Sequence, residues 1–173
     1  MSTPDWTLQR LHKVDDAQIE GLVDVLIDCV EGGASVSFMW PLTRARARAF
    51  WQRVAQGVAA SERALVVAED AEGICGTVQL ILDQPENQPH RADLAKMLVH
   101  RRARCHGLGA ALMRAAEAAA RDCGKTLLVL DTASDAAERL YEREGWVRVG
   151  VIPGYALLPH GGPCATTYFY RNL

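Results

Sequence analysis

No apolar run in this chain approaches the roughly 20 residues that a membrane-spanning helix needs, and the opening stretch MSTPDWTLQRLHK lacks the basic start and apolar middle of a secretory signal. The expectation is a cytoplasmic protein with no membrane partner. Cys29, Cys75, Cys105, Cys123 and Cys164 are scattered, with no CxxC and no Cys/His pairing at metal-ligand spacing. That excludes a disulfide framework and a zinc site, so reduced thiols and no metal are expected. Charge of one sign is also missing. The 19 Lys and Arg against 21 Asp and Glu leave a net charge of −2, which gives no electrostatic reason to bind nucleic acid over a broad surface. Finally, no repeat, low-complexity tract or linker divides the 173 residues, and 49% apolar with 23% charged residues is a globular composition, so a single domain spanning 1–173 is expected.

The periodicities predict the element order β-α-α-β-β-β-α-β-α-β-β. Residues 6–14 alternate as an opening strand, with Asp15 and Asp16 as candidate caps for a helix carrying Ile19, Leu22, Val23, Leu26, Ile27 and Val30 at helical spacing and stopped by Gly32 and Gly33. After the apolar loop ASVSFMWPL, Thr43 caps a second helix with Phe50, Trp51, Val54 and Val58 inward and Arg44, Arg46 and Arg48 facing water. ALVVAED and GICGTVQLILD form a hairpin around the turn Asp70 to Gly73, and QPENQPH is loop. The strand LAKMLV leads through a glycine turn into a helix from Leu108 to Cys123, stopped by Gly124, whose alanines let it lie close to a sheet. KTLLVLDT reads as a buried strand. Ser134 or Asp135 caps a short helix through Tyr141 that ends at Gly145, and WVRVGVI and ATTYFYRNL complete the sheet. The fold class is α/β (α+β), a mixed sheet with helices on both faces.

The segment from Leu94 to Leu112, LAKMLVHRRARCHGLGAAL, carries the chemistry. A helix that opens on glycines aims unpaired backbone N–H groups, and the positive end of its dipole, at an anion over its first turn. Arg101, Arg102 and Arg104 add permanent charge and planar forks suited to phosphate oxygens, so a nucleotide-bearing ligand is expected. A Walker A loop would need lysine and Ser or Thr after its last glycine, where this chain has Ala110 and Ala111. The dinucleotide pattern fits Gly107 and Gly109, with Asp131 22 residues further on, but its third glycine is Leu112 and the strand ends too early, near Val99.

A third design fits better. Arg104-Cys105-His106-Gly107-Leu108-Gly109 resembles the R/Q-x-x-G-x-G/A pyrophosphate loop of the GNAT superfamily of N-acetyltransferases, and SDAAERLYEREGW resembles that family's N-x-x-A-x-x-L-Y-x-x-x-G-F segment, with Ala137, Leu140, Tyr141 and Gly145 in place. HRADLAKMLV, the GGASVSFM loop and VGVIPGYA through TTYFY are similar to the tabtoxin-resistance branch, which acetylates the amino group of a β-lactam amino acid toxin. The resemblance implies a mostly antiparallel sheet of six to seven strands with the fourth and fifth splayed. It also implies acetyl-CoA as co-substrate, its diphosphate on the backbone of Arg104, Cys105, His106, Gly107, Leu108, Gly109 and Ala110, and its pantetheine arm along Met97, Leu98 and Val99. Ser134 stands where many relatives carry asparagine and, with Ala137, counts as cofactor-binding.

Acetyl transfer to an amine needs a neutral nucleophile, an oxyanion donor and a proton for the departing thiolate. The resemblance makes Tyr141 the proton donor, with a backbone N–H near Leu98 for the oxyanion. Asp93 and Asp131 are the candidate bases, acting directly or through water, or else charges that attract the substrate ammonium. His90 and His106 are weaker candidates. Ser35, Phe38 and Met39 of the loop 33–42, with Tyr155, either line the acceptor pocket, or that loop plugs the sheet end or makes a homodimer contact. Cys105 and Cys123 have no recognisable base nearby, which favours direct transfer over an acetyl-enzyme. The leading expectation is a small-molecule amine acetyltransferase. The alternatives are acetylation of a protein or peptide N-terminus, and a non-catalytic CoA-binding sensor.

Overall fold

The computed structural model describes residues 6–173; the first five residues of the expected domain lie outside the described residues. The strands are β1 (Thr7–Leu11), β2 (Arg63–Asp70), β3 (Gly73–Ile81), β4 (Arg91–Val99), β5 (Leu127–Thr132), β6 (Val147–Leu157) and β7 (Pro163–Asn172). The helices are α1 (Asp16–Glu31), α2 (Arg44–Ala59), α3 (Leu108–Asp122) and α4 (Asp135–Arg143), with a 3₁₀ turn at Arg101–Ala103. The order of elements is the one expected. Three strand limits differ most: the opening strand is five residues long, not nine, β4 begins at Arg91, three residues before LAKMLV, and β6 runs on to Leu157, five residues past WVRVGVI.

Caps set the helix starts. Asp15, not Asp16, caps α1 through a reciprocal box, its Oδ1 accepting from Gln18 N at 2.8 Å while Gln18 Oε1 accepts from Asp15 N at 3.0 Å. Thr43 Oγ1 accepts from Arg46 N at 3.3 Å at the head of α2. Leu22, Val23, Leu26, Val30 and Trp51 are fully buried beneath these helices, each worth about 1.5–3 kcal/mol or more in apolar burial. Phe50, expected inward, is only half-buried. The arginine run is not simply a solvated face either. Arg46 is exposed, but Arg44 bonds to Asp24 and Glu20 at 2.6 Å each, and Arg48 to Asp16 and Glu20, so these two side chains bridge α2 to α1. Being exposed, the bridges fix the pairing of the helices more than they stabilise it.

The seven strands form one sheet in the order β1-β2-β3-β4-β5-β7-β6, antiparallel everywhere except between β4 and β5. Neighbours along a strand serve opposite cores. Leu65 packs with Leu22, Leu26 and Trp51 under α1 and α2, whereas Val66 packs with Leu112, Met113, Leu128 and Phe169 under α3. Small residues bring α3 down onto the sheet: Ala116, Ala119 and Ala120 are buried, and a Cβ at Gly76 of β3 would meet Leu108 and Leu112 at 3.1 Å.

The β4–β5 ladder spans only three pairs, Arg91 with Leu127, Ala92 with Leu128 and Asp93 with Val129. Beyond them β4 and β5 part and open a gap inside the sheet. The reading of KTLLVLDT as buried is corrected here, since only Leu128 and Leu130 are buried and Asp131, past the last pair, is exposed. Among the described residues no helix is long and apolar enough to cross a membrane.

Candidate functional site

The basic turn after β4 is largely committed to the protein itself, which corrects the expectation of three phosphate-binding arginines. Arg101 donates from its backbone N to Asp28 Oδ2 at 2.9 Å, from Nε to Asp28 Oδ1 at 2.6 Å, and from Nη2 to Glu31 at 2.6 Å. Arg102 forks onto both oxygens of Asp70 at 3.0 Å. Only Arg104, exposed and anchored by Nε on Val99 O at 3.0 Å, makes no bridge to a carboxylate among the described residues.

Burial works to raise the Asp28 carboxyl, but the Arg101 amide and guanidinium outweigh it and hold the group below its ordinary 3.8. Its stabilisation is therefore full above that value and is lost as pH falls through the lower folded value. Asp28→Asn is expected to cost about 1–3 kcal/mol in urea unfolding near neutral pH, the difference from wild type closing below about pH 4.

With two of the three arginines spent, the free backbone amides beside Arg104 are the candidate anion receptor. Among the described residues, no acceptor within the chain meets the amide N–H of residues 105–110. Cys105 (φ 66°) and Gly107 (φ 79°) are left-handed, the alternation that turns successive N–H groups into one concavity. Gly107, the N-cap of α3, offers no side-chain cap, and the first turn holds no acid. Gly109 answers a packing need, since a Cβ there would sit 3.0 Å from Leu140 of α4. These residues fit a diphosphate at a helix N-terminus.

The gap between β4 and β5 adjoins this cradle. In an antiparallel strand the N–H and C=O of one residue point to the same side, and successive residues alternate. His100 N bonds to Cys75 O on β3, so Leu98 N–H also faces β3, and Met97 and Val99 direct theirs to the gap. The backbone N–H groups near Leu98 that are open to an oxyanion are thus those of Met97 and Val99.

Tyr141, on α4 beside the gap, is 5% exposed and packs edgewise on Phe169 at 5.6 Å. Burial, and then the negative charge of Asp131, push its phenol above the ordinary 10. Its hydroxyl has no hydrogen-bond partner among the described residues. Ser134 Oγ accepts from Ala137 N at 3.3 Å, so both of these expected cofactor residues serve the cap of α4.

On the other face of the sheet Ser35, Phe38, Met39, Tyr155 and Asp131 come together around one cavity of about 330 Å³, with Thr166 alongside. Asp131 Oδ2 accepts from Thr166 Oγ1 at 2.8 Å. Asp93 is differently placed. It lies at the last β4–β5 pair with one oxygen on Arg91 and the other accepting from Gln84 Nε2 at 3.0 Å, so it is a tied carboxylate and not a free base. His90 and His106 are exposed and outside the cavity. A second cavity, of about 400 Å³ and lined by Arg10, His12, Arg63, Cys123 and Lys125, gathers none of the expected site residues.

Two groups at the site were missed. Tyr168 donates to or accepts from Tyr155 at 3.0 Å, and that bond, with its surroundings, pushes its phenol to about 12. Lys96 sits on a bulge of β4 in a left-handed conformation (φ 49°) that costs a non-glycine residue about 1 kcal/mol or more. A lone lysine in the apolar run LAKMLV was the available signal.

The sequence model of the Acetyltransferase (GNAT) family matches residues 27–146. The chain is 32% identical over 129 residues to an uncharacterised N-acetyltransferase of Azospirillum brasilense encoded in the hisH-hisA intergenic region, covering 73% of this chain and 75% of that protein. The fold is similar to phosphinothricin acetyltransferase of Sinorhizobium meliloti in complex with acetyl-CoA (TM-score 0.79, 17% identity, 98% and 89% of the two chains). It is also similar to ribosomal-protein-alanine N-acetyltransferase of Brucella melitensis (TM-score 0.78, 19% identity, 96% and 99%). Neighbours named for such different acceptors share the fold alone, and the acceptor is left to the pocket. The family match, over more than half of the chain, and the curated relative show that the chain belongs to the GNAT family of acetyltransferases.

Proposed function

We propose that this enzyme, working as one domain, transfers the acetyl group of acetyl-CoA directly to a primary amine of a small molecule. One observation carries the reading: the four acceptor-side residues and Asp131 surround a single cavity on the face of the sheet opposite Tyr141, with the β4–β5 gap between them. Its volume, about 330 Å³, lies at the small end of ligand pockets and suits a compact acceptor.

Acetyl-CoA supplies an activated acyl group, and the chain does the rest. The amides of residues 105–110 take the diphosphate, and the gap-facing N–H groups of Met97 and Val99 take the pantetheine arm and the acetyl oxygen. Asp131 attracts the acceptor's ammonium and receives its proton, directly or through water, and Tyr141 protonates the departing thiolate. An amino-acid-like acceptor, including a β-lactam toxin of the tabtoxin kind, is the favoured class, which would make the enzyme a resistance factor acting in the cytoplasm. The exposed apolar residues Val147, Val149, Val151 and Ile152 on the edge strand β6 support self-association as a homodimer.

The test is a screen of free amino acids, β-lactam amino acids, polyamines, aminoglycosides and N-terminal peptides for acetyl-CoA-dependent thiol release. Turnover confined to peptides, or none with CoA still bound, would refute the proposal. Asp131→Asn is expected to lower kcat/KM for the acceptor by about 10²-fold and Asp93→Asn by under about tenfold, measured by the same thiol release.

A further inference from the structure

We infer that Lys96 selects an acceptor carrying a carboxylate beside its amine, so that the substrate enters as an amino acid zwitterion; this rests on the amine-acetyltransferase reading above. The bulge of β4 is what delivers the lysine. Met97 and Val99 pack toward α3, and Leu98 toward α1 and α2. The left-handed turn at Lys96 puts its side chain on the same side as Leu98, with Nζ donating to Ser37 Oγ at 3.1 Å and lying 5.7 Å from the centre of the Phe50 ring. Ser37 is a wall of the acceptor cavity.

Charge then defines the ligand. Among the described residues, no carboxylate lies within 4.0 Å of Lys96 Nζ, although the side chain is half-buried. A half-buried cation with no ion pair is costly: burial holds this ammonium below its usual affinity for the proton, the charge of Asp131 offsets that in part from beyond contact, and Arg63 adds repulsion. Asp131, on the lining of the same cavity, bonds to a threonine hydroxyl and, among the described residues, to no cation. Two opposite charges thus stand in one site without pairing to each other. A zwitterion satisfies both at once: its ammonium on Asp131 beside the gap, and its carboxylate on the donors of Lys96 that Ser37 leaves free. An amine with no carboxylate leaves the lysine as it stands.

The experiment compares uncharged free L-amino acids with their carboxamides and with the amines left by decarboxylation, following thiol release from acetyl-CoA. Wild type is expected to favour the acids by about 10²-fold in kcat/KM, even though the carboxamides hold more free amine at neutral pH. Lys96→Met is expected to remove most of that preference while leaving kcat/KM for the decarboxylated amines, which offer the lysine no acceptor, and KM for acetyl-CoA within about threefold, and Lys96→Arg to keep part of it. Equal use of acids and carboxamides by wild type overturns the inference without recourse to any variant, as does an undiminished preference in a folded Lys96→Met. Turnover of carboxylate-free amines alone overturns this inference and leaves the amine reading standing. Turnover of no amine in the wider screen overturns both.

Discussion

Tyr141→Phe is expected to lower kcat about 10²- to 10⁴-fold while KM for acetyl-CoA and Tm stay close to wild type. The loss falls on catalysis because the hydroxyl bonds to nothing in the described chain, whereas the ring, set against Trp146 and Phe169, keeps its contacts as phenylalanine. The raised affinity of this phenol for its proton does not disqualify it. Burial keeps it neutral at working pH, and a thiolate forming in the same gap is desolvated too, so donor and acceptor shift in the same direction and stay matched. Steady-state kinetics with acetyl-CoA varied checks the split. An acetyl thioester of a more acidic thiol, whose departure needs less help, should recover part of the lost rate in the variant. An unchanged kcat would remove the tyrosine from the chemistry.

Gly107→Asp is expected to weaken acetyl-CoA binding by about 10²-fold, near 3 kcal/mol by calorimetry, with Tm little altered. The position is open, with nothing within 4 Å of a built Cβ, and aspartate tolerates the left-handed backbone better than most residues, so the fold has room for it. Its carboxylate would sit among the free amides of residues 105–110 and compete with the diphosphate for them. Gly107→Asn supplies the same shape without the charge and should bind within about tenfold of wild type, which separates repulsion from shape. Tight binding by the aspartate variant would mean that the phosphates lie elsewhere.

Much of the fold was legible because its signals are local. Asp15, Thr43 and Ser134 cap the helices they precede, and Gly124 and Gly145 follow helix ends in left-handed conformations. Each of the two family motifs, at 104–109 and 134–146, is likewise one continuous stretch. What was illegible depends on partners far along the chain. Arg101 and Arg102 read as free forks until Asp28 and Asp70, 73 and 32 residues away, are folded against them. Asp93 read as a base although Arg91, two residues before it on β4, was a partner in plain view; only Gln84 is brought to it by the bend of the loop before the strand. The bulge at Lys96 has no glycine to announce it, and strict alternation would have sent that side chain elsewhere.

The seventh strand along the chain is an inner one of the sheet. β7 lies between β5 and β6, and it supplies Thr166 to Asp131 and Tyr168 to Tyr155. The proposed coenzyme loop thus lies in one short stretch between β4 and α3, whereas the proposed acceptor cavity is assembled from the loop 33–42, the end of β5, β6 and β7, the last docked beside Leu127–Thr132. On that reading, choice of the amine rests on contacts that span most of the chain, and the hold on the coenzyme on contacts that span a few residues.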